Sequence, residues 1–147
     1  MTAKTIARSA HVLTTSESWV LSALKGLPAE YEVQVNPRGL PDQYLSALRY
    51  EPDFVVIRPD GRKLIIEVKS PLSLSMSNMA RLAHIGRAAQ MHNDRFLVLV
   101  PVPPNRAESE FRPWGQEPLT LKFVADAGQV LSEVAKSFEP ILGQSEG

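Results

Sequence analysis

Cysteine is absent from the 147 residues, which excludes disulfides, thiolate zinc sites and a cysteine nucleophile. An excess of either charge is missing too. Sixteen Lys and Arg balance sixteen Asp and Glu, so a chain that coats nucleic acid by charge alone is not expected. No apolar run approaches the length of a membrane span and the N-terminal segment lacks the apolar core of a signal peptide, so no membrane association and a cytoplasmic location are the expectations. Gly-rich phosphate loops, Ser/His/Asp hydrolase patterns, internal repeats and low-complexity segments are also lacking. The three histidines, His11, His84 and His92, have no metal-ligand spacing with nearby His or Asp and read as structural or surface residues.

What is present suits one soluble α/β domain. Hydrophobic residues make up 44% and charged residues 22%, enough apolar surface for a proper core in a chain too short for two comfortable ones. Residues 1–13 show no clear period and read as a loose arm, residues 14–125 as the core domain, and residues 126–147 as a helix and tail of the same domain. Charge is uneven along the chain. Residues 1–100 carry 12 Lys and Arg against 9 Asp and Glu, and residues 101–147 carry 4 against 7, so the first part is mildly basic and the tail acidic.

The most informative stretch runs from Pro52 to Lys69. Two apolar, β-branched runs flank Pro59-Asp60-Gly61, the chemistry of a three-residue hairpin loop with a bulge. If Arg58 faces Arg62, Asp53 falls opposite Glu67, and the period of two places Asp53, Glu67 and Lys69 on one face. Val55, Ile57 and Ile65 share that face, while Phe54, Val56, Leu64, Ile66 and Val68 occupy the other. Strands apolar on both faces belong inside a covered sheet. Carboxylates at the end of such strands need partners or a bound ion, because desolvating an unpaired charge costs several kcal/mol, to order of magnitude. Two converging carboxylates can hold Mg²⁺ or Mn²⁺ through oxygen ligands, with water and substrate phosphate completing the shell. Lys69 can orient or help deprotonate the attacking water and stabilise charge on a scissile phosphate.

Other elements frame the hairpin. Thr14-Thr15-Ser16-Glu17 opens an amphipathic helix that Gly26 and Pro28 stop; Glu17 reads either as the acidic member of a capping box or as a further acidic residue of the site. Residues 31–36 alternate as a half-buried strand. Residues 37–52 form a long connection with one helical turn through Tyr44, Leu45 and Leu48, from which Arg38, Tyr44, Arg49 and Tyr50 could reach phosphates or bases. Ser73, Ser75 and Ser77 offer caps to a helix running to about Asn93, with Met79, Leu82, Ala83, Gly86, Ala89 and Gln90 on one stripe and Arg81 and Arg87 off it as candidate phosphate contacts. Residues 95–100 form a buried strand, residues 101–118 a covering loop with Phe111 and Trp114, residues 119–124 a late strand, and residues 128–138 a helix. That last helix has an apolar face of Val130, Leu131, Val134, Ala135 and Phe138, which either docks on the sheet or serves a protein partner or a homodimer.

Pro52-Asp53 followed by Glu67-Val68-Lys69 resembles the signature of the PD-(D/E)xK nuclease superfamily. Within it the chain is similar to TnsA-type transposon-end endonucleases over roughly residues 15–101, through Ser16-Glu17, Tyr50-Glu51-Pro52-Asp53-Phe54-Val55-Val56, Asp60-Gly61-Arg62 and Ile66-Glu67-Val68-Lys69. The resemblance implies a restriction-endonuclease-like fold, a central mixed β-sheet flanked by helices with a helix-strand-strand-strand-helix-strand core. It implies a Mg²⁺-dependent DNA endonuclease beside a separate transposase, with Glu17, Asp53 and Glu67 as acidic residues and Lys69 as catalytic base. The cation would rest on Asp53, Glu67 and the backbone carbonyl of Val68. Only forty-six residues follow Pro101, little room for that family's additional partner-binding domain. Phage biology, defence and repair or junction resolution are other settings for such a nuclease, and a non-cutting nucleic-acid-binding or assembly subunit is the rival reading.

Overall fold

A computed structural model describes residues 3–7, 13–37, 43–70, 75–102 and 121–139. In chain order the elements are β1 (Lys4–Ala7), α1 (Thr15–Leu24), β2 (Glu32–Val35), α2 (Gln43–Ala47), β3 (Phe54–Ile57), β4 (Lys63–Val68), α3 (Met76–Met91), β5 (Arg95–Pro101), β6 (Leu121–Val124) and α4 (Ala127–Ser137). The strands form one mixed six-stranded sheet in the order β1-β2-β3-β4-β5-β6. β3 runs antiparallel to both β2 and β4, whereas β1–β2, β4–β5 and β5–β6 are parallel. The sheet is covered on both faces, so the protein is α/β.

The central hairpin has the expected register. Phe54 pairs with Ile66 and Ile57 with Lys63, and the Arg58 N–H donates to the Arg62 carbonyl at 2.9 Å. Pro59, Asp60 and Gly61 make the loop, closed by the Gly61 N–H to the Arg58 carbonyl and by the Arg62 N–H to Asp60 Oδ1. Gly61 takes φ +89°, a conformation that costs an L side chain, so glycine is favoured there.

Alternation along the strands then feeds two separate cores. Phe54, Val56, Leu64, Ile66, Leu97 and Leu99 pack with Val20 and Leu24 of α1, with Val130 and Val134 of α4 and with Phe138, which caps α4. Val55, Ile65, Val98 and Val100 pack with Leu45 of α2 and Met79, Leu82, Ile85 and Ala89 of α3. Burying each such side chain stabilises the fold by roughly 1.5–3 kcal/mol. α3 lies close to the sheet at Gly86, where an added Cβ would come within 3.1 Å of the Phe96 ring.

Three expectations change. Residues 1–13 are not wholly a loose arm, because Lys4–Ala7 adds a parallel edge strand to β2; four residues are too few for a periodic signal, and a partner strand supplies what local sequence cannot. The stripe of α3 turns on Ile85, 2% exposed, and leaves Gln90 exposed. Most of the apolar face of α4 is spent inside the fold, with Val130, Val134 and Phe138 at most 4% exposed, Leu131 half-buried and Ala135 exposed. Of the two readings of that face, docking on the sheet accounts for its buried residues, and nothing in the structure supports a partner or homodimer there. Phe111 and Trp114 lie outside the described residues, and among those described no helix is long and apolar enough to cross a membrane.

Candidate functional site

One end of the hairpin collects the acidic residues. The β3–β4 ladder pairs Phe54 with Ile66, and its next step outward sets Asp53 across from Glu67. Asp53 is held by backbone from both sides: its carbonyl accepts the Asn36 N–H at 2.8 Å and its Oδ2 accepts the Val68 N–H at 2.7 Å. Asn36 stands just past β2 with φ +45°, a left-handed conformation that Asn tolerates better than most residues. Its Nδ2 donates to the Pro52 carbonyl at 3.4 Å.

Glu67 is 8% exposed, and both of its oxygens are engaged. Oε1 accepts the Tyr50 hydroxyl at 2.6 Å, and Oε2 faces Lys69 Nζ at 3.4 Å. Lys69 continues past β4 with its N–H on the Leu99 carbonyl, which keeps it two residues along the strand from Glu67 and on the same face.

Glu17 comes from the other layer. α1 packs on the opposite face of the sheet, but its first turn reaches the open end of the hairpin, where the Glu17 side chain hydrogen-bonds Asp53. It also completes a capping box, Oε1 accepting the Thr14 N–H at 2.8 Å while Thr14 Oγ1 accepts the Glu17 N–H at 3.1 Å. The two readings of Glu17 thus describe one side chain in one position. The cap fixes where the carboxylate sits.

Burial and mutual repulsion set the electrostatics. The Asp53 carboxyl is pushed up from 3.8 to about 8, first by desolvation, then by Glu67 and the Glu17 hydrogen bond, against the opposing Val68 N–H. Glu67 is also raised, by desolvation, although the Tyr50 hydroxyl and the Lys69 ammonium pull it back. Tyr50 is raised well above 10, by burial and then by Glu67, so its phenol stays a hydrogen-bond donor. Three carboxylates in one half-dry corner favour a proton or a cation among them.

The donor set fits a hard cation. Among the described residues no three His, Cys, Asp or Glu side chains form a ready-made metal cage, so a cation here would rest on Asp53 and Glu67 with solvent, backbone or substrate oxygens. Mg²⁺, which keeps waters and is held by one or two carboxylates plus phosphate oxygens, suits such a partial set. Val68, whose carbonyl the sequence resemblance offers as a further ligand, donates its N–H to Asp53.

The cationic and aromatic candidates divide. Arg81 of α3 donates from Nη2 to the Arg49 carbonyl at 3.1 Å and is near enough to Tyr50 to oppose its upward shift. Both arginines are exposed, and Arg49 directly precedes Tyr50 in the chain. Arg87 is exposed farther along the same helix, and Arg38 lies outside the described residues. Tyr44 is built into the fold, with its hydroxyl on Asp94 Oδ2 at 2.5 Å and its ring stacked on His92, centroids 3.9 Å apart.

Two site residues were misjudged or missed from sequence. Tyr50 reads as a substrate-contacting loop residue but is 8% exposed beneath Glu67; nothing in local periodicity marks a tyrosine three residues before Asp53 as a buried donor. Asn36 carries a faint signal, an Asn between an alternating strand and Pro37, the kind of residue that ends a strand in a left-handed turn. The chain matches no protein-family model, no curated protein and no solved structure.

Proposed function

We propose that this chain is a divalent-cation-dependent endonuclease of the PD-(D/E)xK, restriction-endonuclease-like kind, hydrolysing phosphodiester bonds in DNA, with a TnsA-like cutting subunit of a mobile-element complex as its nearest functional analogue. The observation that carries this reading is the placement of Asp53 opposite Glu67 at the end of one hairpin, with Lys69 paired to Glu67 and Glu17 bonded to Asp53. An ion pair on a surface hairpin would need neither the third carboxylate nor the burial.

In this reading Asp53 and Glu67 hold Mg²⁺ or Mn²⁺, which when bound supplies Lewis-acid neutralisation of charge on the phosphate. The chain's own residues do the rest. Asp53 gives up its proton for the cation and Glu17, fixed by its cap, keeps the cluster anionic. Lys69 swings from Glu67 to orient the attacking water by hydrogen bond and to stabilise the negative charge that builds on the phosphorus oxygens. A new P–O bond to the water oxygen forms as the ester P–O bond breaks, the water's proton passing to solvent and the leaving alkoxide taking one from solvent. Arg49 and Arg81, near Tyr50, draw in the flanking phosphates.

Purified protein with Mg²⁺ or Mn²⁺ on duplex, branched and single-stranded DNA, and on RNA, tests the proposal. Nicked or cut product from wild type and none from Asp53→Ala is the expected result. The engagement of both Glu67 oxygens, by the Tyr50 hydroxyl and the Lys69 ammonium, favours a second reading, a non-cutting nucleic-acid-binding subunit. Binding without cleavage on every substrate would select it.

A further inference from the structure

The Tyr50 phenol takes no part in the chemistry above, yet several independent contacts hold it in place. Its N–H closes α2 on the Leu45 carbonyl at 3.0 Å, and the preceding Arg49 turns the chain at φ +55°. The ring meets the Phe96 ring edge-on, 6.4 Å apart at 69°, within the core that also contains Leu45, Val55 and Ile65. From this position the hydroxyl reaches Glu67 Oε1 at 2.6 Å, the length of a charge-assisted O–H···O⁻ bond. Glu67 Oε2 faces, among the described residues, the Lys69 ammonium, 3.4 Å away on a long and partly exposed side chain.

The two oxygens of Glu67 are therefore unequal. A lysine ammonium can leave Oε2 and stay hydrated. The phenol has nowhere to go, because a buried ring cannot withdraw and its donor would be left unpaired. We propose that Tyr50 is a positioning residue that confines Glu67 to one-oxygen ligation and so selects a small octahedral cation, Mg²⁺ or Mn²⁺, against Ca²⁺; this rests on the cation reading of the site. Ca²⁺ takes six to eight oxygens and commonly uses both oxygens of a carboxylate, whereas Mg²⁺ demands near-ideal octahedral geometry at shorter distances. Hydrogen-bond partners of ligating carboxylates tune metal affinity by roughly tenfold or more.

Separate titrations with MgCl₂, MnCl₂ and CaCl₂, followed by the shift in melting temperature, compare wild type, Tyr50→Phe and Tyr44→Phe. The Tyr44 variant loses a hydroxyl bonded to Asp94 and serves as the control. The ratio of Ca²⁺ to Mg²⁺ affinity is expected to rise roughly tenfold in Tyr50→Phe and to stay at the wild-type value in Tyr44→Phe. An unchanged ratio in Tyr50→Phe, with all three cations still stabilising the protein, overturns the role of Tyr50 and leaves the cation site standing. No stabilisation of wild type by any of them overturns both. Fluorine NMR of wild type labelled with 3-fluorotyrosine gives a result even if Tyr50→Phe fails to fold. The protein has three tyrosines, and Tyr31→Phe and Tyr44→Phe assign the Tyr50 signal by elimination. Ca²⁺ at saturating concentration should move that signal and Mg²⁺ leave it near its cation-free position; equal movement by both overturns the proposal.

Discussion

Asp53 is the residue at which burial and charge conflict most. Its carboxyl releases its proton near 3.8 in an exposed chain but holds it to about 8 in the fold, chiefly through desolvation and the neighbouring Glu67. Between those values the folded state binds more protons than the unfolded one, so the cation-free protein is expected to lose stability as pH rises from about 4 to about 8. Glu67, also raised, pulls the same way. Melting temperatures in chelator across that range check it: wild type should decline and Asp53→Asn should decline less. At the alkaline end millimolar Mn²⁺ should restore the wild type but not Asp53→Ala, since a cation can stabilise only the state that binds it. Lys69 makes a different prediction. Partly exposed and paired with Glu67 across 3.4 Å, it should be dispensable for folding and for cation stabilisation. Lys69→Ala is expected to cut DNA orders of magnitude more slowly in single-turnover assays, each ~1.4 kcal/mol of lost transition-state stabilisation being tenfold in rate. Cleavage at the wild-type rate would make the lysine structural.

Among the elements, the β3–β4 hairpin is the device that makes the site. A slip of one residue would send Asp53 and Glu67 to opposite faces, and the three-residue loop prevents it. Gly61 carries that loop at φ +89°, and an added Cβ there meets nothing within 4 Å, so the cost of Gly61→Ala is backbone strain alone. About 1–2 kcal/mol of lost stability is expected, read from denaturant midpoints. The slope of the unfolding transition should not change. α1 plays a second part: the same capping box that starts the helix at Thr14 aims Glu17 at Asp53. A terminal hydrogen-bond motif here doubles as a means of delivering a carboxylate across the sheet.

On the scale of the whole molecule, charge and burial limit how the protein can meet other molecules. With sixteen charges of each sign, few phosphates can be neutralised without local help from Arg49 and Arg81. Short duplex DNA should bind weakly and with a shallow dependence on salt, because the salt slope follows the number of phosphate contacts. Titration over a range of ionic strength measures it; tight, steeply salt-dependent binding would refute the argument from charge. α4 provides the complementary test. Val134 is 1% exposed in the core shared with α1 and the sheet, so Val134→Asp should unfold the protein, a buried unpaired carboxylate costing several kcal/mol, to order of magnitude. A folded Val134→Asp variant, seen by circular dichroism, would mean that the face is not packed as described.

Local sequence determined the elements whose signals are local. The Pro59-Asp60-Gly61 loop specified a bulged hairpin, the hairpin specified a register, and strict alternation assigned Val55 and Ile65 to one core and Phe54 and Ile66 to the other. The acidic pair was legible for that reason, since two residues symmetric about a loop of known geometry must face each other. Glu17 was legible only as two alternatives, because a capping pattern says where a helix starts and not what lies beyond its first turn. Tertiary structure decided what depends on contacts far apart in the chain. It brought Tyr50 under Glu67 across seventeen residues, enlisted Lys4–Ala7 as an edge strand through β2, and buried the apolar face of α4 against α1. An amphipathic face states only that it must be covered, and a buried hydroxyl only that it must be paired. Which partner answers each demand is set by how the layers pack, and that is written in no single stretch of the chain.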